Sequence, residues 1–131
     1  MTVLSVHQLA LMSEMAWKAR ENAKVYGPTQ VGCAALSSNG QVFFGCNIEH
    51  RFRSHDIHAE VNAISTLVAN GGTRLEVVLI AAERDRFTPC GSCLDWIFEI
   101  GGGSCLVMSE RIPGVVMHEY LARELMPAYP A

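Results

Sequence analysis

Two short segments of this chain carry residue types that bind metal ions and move protons. His58 and Glu60 stand two positions apart, and Cys90 and Cys93 form a C-x-x-C pair directly after a proline. Zinc takes imidazole nitrogen and thiolate sulfur as ligands, and three protein ligands leave a fourth position for water, whereas four give a structural site. We therefore expect His58, Cys90 and Cys93 to hold one Zn²⁺ with an open position.

Glu60 has the position of a proton carrier rather than of a ligand. It is too close in sequence to His58 to be a comfortable chelate partner, but it lies within reach of a water on the metal, whose pKa zinc lowers toward about 7. Glu60 is then expected to pass the proton to the leaving nitrogen of a substrate. The alternative is a closed structural zinc site with Cys46 or His55 as the fourth ligand, in which Glu60 has no explained role.

Alternating helices and strands are expected to position these residues. Both metal-binding segments fall at predicted helix starts, where the partial positive charge of the helix favours thiolates. The order of elements predicts a single α/β domain over 1–131, with a central mixed five-stranded sheet and helices on both faces. The predicted elements are helices at 5–23, from 58 to the Asn-Gly-Gly at 70–72, at about 90–100 and at 118–125, and strands at 31–36, 41–48, 75–82, 104–108 and 115–117, the first two joined by an Asn-Gly turn.

Composition excludes several classes of protein. The chain has 131 residues, a net charge of −3 and 50% hydrophobic residues, which fits one domain with its own core and not a disordered tail. The acidic balance argues against a nucleic-acid partner, and the lack of an 18-residue apolar run argues against a membrane one. Five cysteines, an odd number, and no recognisable secretion signal predict reduced thiols and a cytoplasmic protein.

The combination of H-x-E with P-C-x-x-C is the signature of zinc nucleobase deaminases. Most of the chain resembles the small single-domain cytidine deaminases and their blasticidin deaminase-like relatives. The resemblance implies a cytidine deaminase-like fold and hydrolytic deamination of a free cytosine nucleoside to the uracil nucleoside and ammonia. It is carried by the segments 31–36 (VGCAAL), 45–49 (GCNIE), 58–60 (HAE), 88–93 (TPCGSC) and 125–129 (LMPAY).

Four residues are candidates for contact with the substrate. The resemblance implies that Asn47 and Glu49 bind the ribose hydroxyls, that Ala59 lines the site, and that Tyr129 stacks on a base, in its own or in a neighbouring subunit. The residue types also support sugar contact by Asn47 and Glu49. Side chains two positions apart on a strand point to the same face, and an amide and a carboxylate together can donate hydrogen bonds to a diol and accept them from it. The competing interpretation is two solvated polar residues at a strand end, and terminal fraying for Tyr129.

Some positions depart from the family's pattern. Tetrameric members often have a cysteine in place of His58 and an arginine after the glutamate, where this chain has Val61. That arginine would offset the charge of a third thiolate, whereas Zn²⁺ with two thiolates and a neutral histidine needs no such compensation. Thr29 replaces an aromatic residue, and Leu94-Asp95 replace Arg-Gln. A modified or antibiotic nucleoside of the blasticidin type, or another amino-heterocycle, is therefore the alternative substrate, and deamination of deoxycytidylate or tRNA comes after it. An alternative of another class is a non-catalytic, zinc-stabilised nucleoside-binding protein.

A basic loop and the C-terminus bear on partners. Arg51 and Arg53 lie in a loop rich in histidine and arginine, which is either an anion site for the substrate or a solvated segment or subunit contact. We favour the second interpretation. A small domain with a C-terminal aromatic resembling a cross-subunit contact favours a homotetramer over a dimer.

Overall fold

The computed structural model describes residues 4–130, in which five strands form one mixed sheet. Along the sheet they lie in the order β2-β1-β3-β4-β5, and of these neighbours only β3 and β4 run parallel. The predicted mixed five-stranded sheet is confirmed. The strands are β1 (Val31–Ser37), β2 (Val42–Cys46), β3 (Leu75–Ala82), β4 (Leu106–Ile112) and β5 (Val115–Leu121).

Helices cover both faces of the sheet, as predicted. One face carries α1, whose Met12 and Ala16 pack against a cluster that includes Leu79. The opposite face carries α2 and α3, which share a core with Val78 and Ile80. Within residues 4–130 no helix has the length and apolar character needed to cross a membrane. The helices are α1 (Val6–Arg20), α2 (Ala59–Ala69), α3 (Gly91–Gly101) and α4 (Ala122–Leu125), with a 3₁₀ turn at Arg53–His55.

The two central strands are buried from end to end, because helices cover them on both sides. All residues of β1 are buried, and in β3 only Glu76 is partly exposed. A Cβ atom on Gly32 would stand 1.8 Å from the carbonyl oxygen of Ala16, so glycine is what allows α1 to approach β1. The predicted turn before β2 is present, with Gly40 at φ 86°.

The C-terminal elements differ in part from the prediction of a strand at 115–117 and a helix at 118–125. The strand is present but longer than predicted, and the prediction of helix over 118–121 was wrong. Strand β5 continues to Leu121, with His118 opposite Ser109 and Tyr120 opposite Val107, and the helix spans only Ala122–Leu125. The residues of β5 alternate in burial with the period of two that is typical of a strand. Pairing with β4 across the turn at Gly114 therefore overrides the local helical pattern.

Candidate active site

Two helix N-termini face each other and bring three metal-binding side chains together. His58 is the N-cap of α2, Cys90 is the N-cap of α3, and Cys93 lies in the first turn of α3. Neither N-cap side chain makes a capping hydrogen bond. The Nδ1 atom of His58 lies 3.3 Å from Sγ of Cys93 and 3.4 Å from Sγ of Cys90, and the two sulfur atoms are 3.6 Å apart.

This triangle fits a zinc ion. Tetrahedral coordination with Zn–S bonds of about 2.3 Å and Zn–N bonds of about 2.0 Å separates ligand atoms by roughly 3.5–3.8 Å. The three ligand atoms lie within 4.8 Å of one another, and in the part of the chain that the structure describes the group includes neither Cys46 nor His55. The donor set is therefore that of a three-ligand site with an open position, and the four-ligand alternative has no fourth ligand in place.

Glu60 sits directly beside this group. It is the second residue of α2, is only 2% exposed, and accepts a hydrogen bond from the thiol of Cys93. Burial raises the pKa of the Glu60 carboxyl, partly offset by a backbone N–H and by the nearby His58. A carboxyl with a raised pKa takes up and releases a proton more readily near neutral pH than an ordinary one does.

A cavity of about 360 Å³ opens next to the metal group, which is a volume suited to a small-molecule ligand. Its wall unites segments that are far apart in the sequence. The predicted residues that line it are Asn47, Glu49, His58, Ala59, Glu60 and Cys90.

Asn47 lies just beyond the end of β2 and is 8% exposed. Its Oδ1 accepts the backbone N–H of Val31 at 2.9 Å, and its Nδ2 donates to the carbonyl of Thr29 at 2.9 Å. The amide thus ties two segments of the cavity wall together. One N–H of Nδ2 remains for a ligand, since an amide nitrogen carries two.

Glu49 is held in its ionised form. Its Oε1 accepts the backbone N–H groups of Gly27 and Tyr26 at 3.0 and 2.7 Å, and these bonds, with Arg53 nearby, lower the pKa of the carboxyl. Its Oε2 lies 3.1 Å from Nη2 of Arg53. Both Asn47 and Glu49 line the cavity, as expected, although each also has structural partners in the chain.

Arg53 of the basic loop is engaged inside the chain. Its guanidinium pairs with Glu49 and, at 2.9 Å, with Asp56. It lies in the cavity wall, whereas Arg51 is exposed. Since both acidic partners of Arg53 are internal, its positive charge is already compensated; an anion or subunit contact through Arg51 stays a prediction.

Tyr129 is not among the residues that line this cavity. Its ring stacks on Phe98 of α3 at a centroid distance of 4.1 Å, and its hydroxyl bonds to Asp95, which raises the pKa of the phenol. Within its own chain, Tyr129 fastens the C-terminal segment to the helix that bears the two cysteines. A contact with the pocket of a neighbouring subunit stays a prediction.

One stretch of the cavity wall comes from a loop to which the sequence analysis gave no binding role. The residues that it contributes are Arg84, Phe87 and Thr88, which lie between the end of β3 and Pro89. Binding residues concentrate in loops that leave a buried strand. This loop runs from β3 directly to the metal-binding Cys90, and that position in the sequence could have predicted a contact with the substrate. Thr29, noted above as a departure, also lines the cavity.

Comparison with known proteins gives a consistent result. Residues 6–109 match the family model described as "Cytidine and deoxycytidylate deaminase zinc-binding region". A cytidine deaminase of Sporosarcina psychrophila is 32% identical over 114 residues, which cover 86% of this chain and 84% of that protein. A cytidine deaminase of Mycobacterium tuberculosis H37Rv is 32% identical over 83 residues, which cover 63% of this chain and 62% of that protein.

Solved structures agree in fold over nearly the whole chain. The cytidine deaminase of Burkholderia pseudomallei superposes with a TM-score of 0.82 at 28% identity, covering 95% of this chain and 98% of that one. That of Mycobacterium leprae gives a TM-score of 0.77 at 30% identity, covering 89% and 95%.

Proposed function

The chain belongs to the cytidine and deoxycytidylate deaminase family, and from this membership we propose that it hydrolyses the exocyclic amine of a free cytosine nucleoside. It is a zinc-dependent hydrolase. The products of the proposed reaction are the uracil nucleoside and ammonia. The observation that carries the proposal is the buried carboxyl of Glu60 next to a three-ligand metal group in a cavity of nucleoside size.

We assign His58, Cys90 and Cys93 as the zinc ligands. When bound, zinc acidifies water so that it can attack carbon at neutral pH. Two thiolates and a neutral imidazole balance the charge of Zn²⁺. Because the charge is balanced, no arginine is needed after Glu60, where this chain has Val61. The tetrameric family members that the sequence resembles often have an arginine at this position.

Glu60 is assigned as the proton carrier. Its carboxylate takes up the proton that the attacking water loses and releases it to the amino nitrogen, which departs as ammonia. Its burial favours this role, because the pKa of the carboxyl is raised and both protonation states become accessible during turnover. The carboxyl lies beside Cys93, one of the assigned ligands, and so next to the metal group.

The remaining assigned residues bind the nucleoside. Asn47 offers its free N–H as a donor to the sugar hydroxyls, and Glu49 offers an ionised carboxylate as an acceptor. Ala59 is fully buried, and its small side chain leaves room in the cavity for a flat ring. Tyr129 lies outside this cavity and is proposed to contact the nucleoside across a subunit boundary.

A modified cytosine nucleoside is the second candidate substrate. The cavity wall carries Thr29 where the family resemblance predicts an aromatic residue, and it adds Arg84 and Phe87. These side chains change the size and charge of the space around a sugar. The rival function of another class is non-catalytic nucleoside binding. Glu60 distinguishes the two functions, because an enzyme needs a proton carrier at this position and a binding protein does not.

We further propose a homotetramer in a reducing compartment, the cytoplasm. Ile57 and Trp96 are 41% and 48% exposed and line a second, shallow cavity next to His58, which favours burial against another subunit.

The proposed reducing compartment is supported by the two cysteines of the metal group. The thiols of Cys90 and Cys93 lie 3.6 Å apart, so oxidation would join them and remove both ligands.

The proposed function is tested by ammonia release from a panel of amino-pyrimidine and amino-purine nucleosides, with zinc content measured on the same samples. Glu60→Gln is expected to keep zinc and fold but to lose activity by about 10²–10⁴-fold. Glu14→Gln, an exposed glutamate on α1, is the matched control and should retain full activity. A zinc-loaded wild type that binds one nucleoside tightly yet releases no ammonia from any of them identifies a binding protein instead.

A further inference from the structure

Residues 83–88, which we call the wall segment, connect the end of β3 to Pro89 and the metal-binding Cys90. Three of them line the cavity described above: Arg84, Phe87 and Thr88. In the part of the chain that the structure describes, the only backbone-to-backbone bond of this segment runs from the N–H of Arg84 to the carbonyl of Ala82, at 2.9 Å. That bond is local, so the position of the segment depends on contacts with side chains.

Asp85, in the middle of the wall segment, is bonded twice to the β4–β5 hairpin. Its Oδ1 accepts a hydrogen bond from Nη1 of Arg111 at 2.5 Å, and its backbone carbonyl accepts one from Nε2 of His118 at 3.3 Å. Arg111 belongs to β4 and His118 to β5. Because Asp85 is two residues from Phe87, these bonds hold the segment close to the part that lines the cavity.

The hairpin that binds Asp85 is itself fastened to α1 by a buried carboxylate. Glu110 directly precedes Arg111 in β4 and is 2% exposed. Its Oε1 accepts hydrogen bonds from Oγ of Ser13 at 2.6 Å and from Nε1 of Trp17 at 2.9 Å, both on α1. The same oxygen accepts the N–H of Gly114, in the turn of the hairpin, at 3.1 Å. Arg111 therefore extends from a strand end whose position is fixed on the core.

The two ends of the wall segment are held independently of Asp85. Ala82 ends the buried strand β3 and is 2% exposed. At the other end Pro89 is buried, and the carbonyl of Cys90 accepts the N–H of Leu94 at 2.9 Å, inside α3. Loss of the bonds at Asp85 is therefore expected to displace the cavity wall and to leave the metal group in place.

Other contacts hold the wall segment on both sides of this point. Glu83 lies 3.5 Å from Nη2 of Arg20, and Nη2 of Arg84 donates to Oγ1 of Thr29 at 2.9 Å. The ring of Phe87 is partly buried against the core. Since these contacts remain without the hairpin, we expect a partial opening of the cavity wall and a moderate loss of affinity.

We propose that Asp85 is a positioning residue for the active site, whose bonds to the β4–β5 hairpin hold the wall segment against the nucleoside. The inference rests on the proposed function for the identity of the ligand, and it adds a residue outside the cavity that controls affinity. When only a fraction of the molecules has the wall in place, the apparent dissociation constant rises by the inverse of that fraction. The chemical step is unaffected, because Glu60 and the metal ligands belong to α2 and α3.

The kinetic test uses the zinc-loaded full chain with cytidine. Arg111→Ala is expected to raise KM about two- to fivefold, the range of an exposed ion pair, with kcat unchanged. Arg111→Lys should restore most of the affinity, because a lysine can still pair with Asp85. The double variant Asp85→Ala/Arg111→Ala should be no worse than the more affected single variant, since both remove the same bond.

Arg74→Ala is the matched control, because Arg74 is an exposed arginine just before β3, at the opposite end of that strand from the wall segment. It should leave KM and kcat unchanged. A fall in kcat with unchanged KM in Arg111→Ala, full additivity in the double variant, or an equal effect of Arg74→Ala overturns the proposal.

Two measurements that need no turnover separate this inference from the proposed function. Titration calorimetry with uridine should show the same two- to fivefold loss of affinity in Arg111→Ala. Trypsin cleavage after the exposed Arg86, followed by mass spectrometry, reports how often the wall segment opens, and it should be faster in Arg111→Ala and slowed by uridine.

The inference requires both changes in Arg111→Ala, weaker uridine binding and faster cleavage, and either one alone overturns it. If both occur while the wild type releases no ammonia, the proposed function fails and the role of Asp85 stands. If neither occurs while cytidine is deaminated, the proposed function stands and the role of Asp85 fails.

Discussion

The imidazole of His58 and the thiol of Cys93, 35 positions apart in sequence, meet at a distance of 3.3 Å between Nδ1 and Sγ. They meet because the N-termini of α2 and α3 converge on one face of the sheet. Both helix ends carry partial positive charge, which stabilises thiolates. A metal held here links two packed helices, so we expect its binding to be coupled to the stability of this layer.

Cys93→Ala is expected to abolish stoichiometric zinc binding, because it leaves only two of the three ligands that the site needs. Zinc per chain, measured by mass spectrometry of the metal after dialysis, should fall from about one to near zero. Cys46→Ala and His55→Ala are the controls, since both residues lie outside the metal group. Loss of zinc in either control would contradict this prediction and favour a structural zinc site with that residue as the fourth ligand.

Asn47→Ala is expected to destabilise the protein as well as weaken substrate binding. The substitution removes the acceptor of the buried N–H of Val31 and the donor to Thr29, and an unsatisfied buried group costs about 1–3 kcal/mol. Urea unfolding measures the effect. Asn39→Ala, in the exposed turn before β2, should lower the free energy of unfolding by less than Asn47→Ala does. An Asn47→Ala protein with unchanged stability and a raised KM would indicate a purely substrate-binding side chain.

The contribution of Glu49 to stability should depend on pH. Backbone N–H bonds hold the folded-state pKa of this carboxyl below its unfolded value of about 4.3. A lowered folded-state pKa stabilises the protein fully above the unfolded value, and this stabilisation is lost as the pH falls through the folded value.

Unfolding of the wild type and of Glu49→Gln should therefore differ by a constant amount from pH 8 down to about pH 5.5, and the difference should shrink below about pH 4. Glu14→Gln, with an exposed carboxyl, is the comparison. A difference between wild type and Glu49→Gln that grows as the pH falls contradicts the assignment.

Tyr129→Ala should loosen the C-terminal segment from α3. It removes the stack on Phe98 and the bond to Asp95, and an aromatic pair contributes about 0.5–1.5 kcal/mol beyond its buried area. Tyr129→Phe keeps the stack and should be the milder change in thermal unfolding. If Tyr129 also reaches a neighbouring pocket, kcat/KM will fall in Tyr129→Ala while the oligomer persists. Unchanged kcat/KM would limit Tyr129 to packing within its own chain.

The spacing of residues was sufficient to predict that the metal-binding side chains and Glu60 lie together. His58, Glu60, Cys90 and Cys93 belong to two short segments, each of which begins a helix, and local spacing fixes which side chains lie together within such a turn. The strands predicted at 31–36 and 75–82 are likewise continuous apolar runs, and the structure buries them as β1 and β3, because burial on both faces leaves no polar alternation.

Only the tertiary structure decided the relationships that cross between segments. The extent of β5 depends on pairing with β4, which a local pattern does not contain. The same holds for the amide of Asn47, which is turned toward Val31 and Thr29, and for Arg84, which bonds to Thr29 while other arginines pair with its acidic neighbours. Sequence spacing determines the chemistry within one turn of chain, whereas long-range packing decides which charges and hydrogen-bonding groups remain available to a ligand.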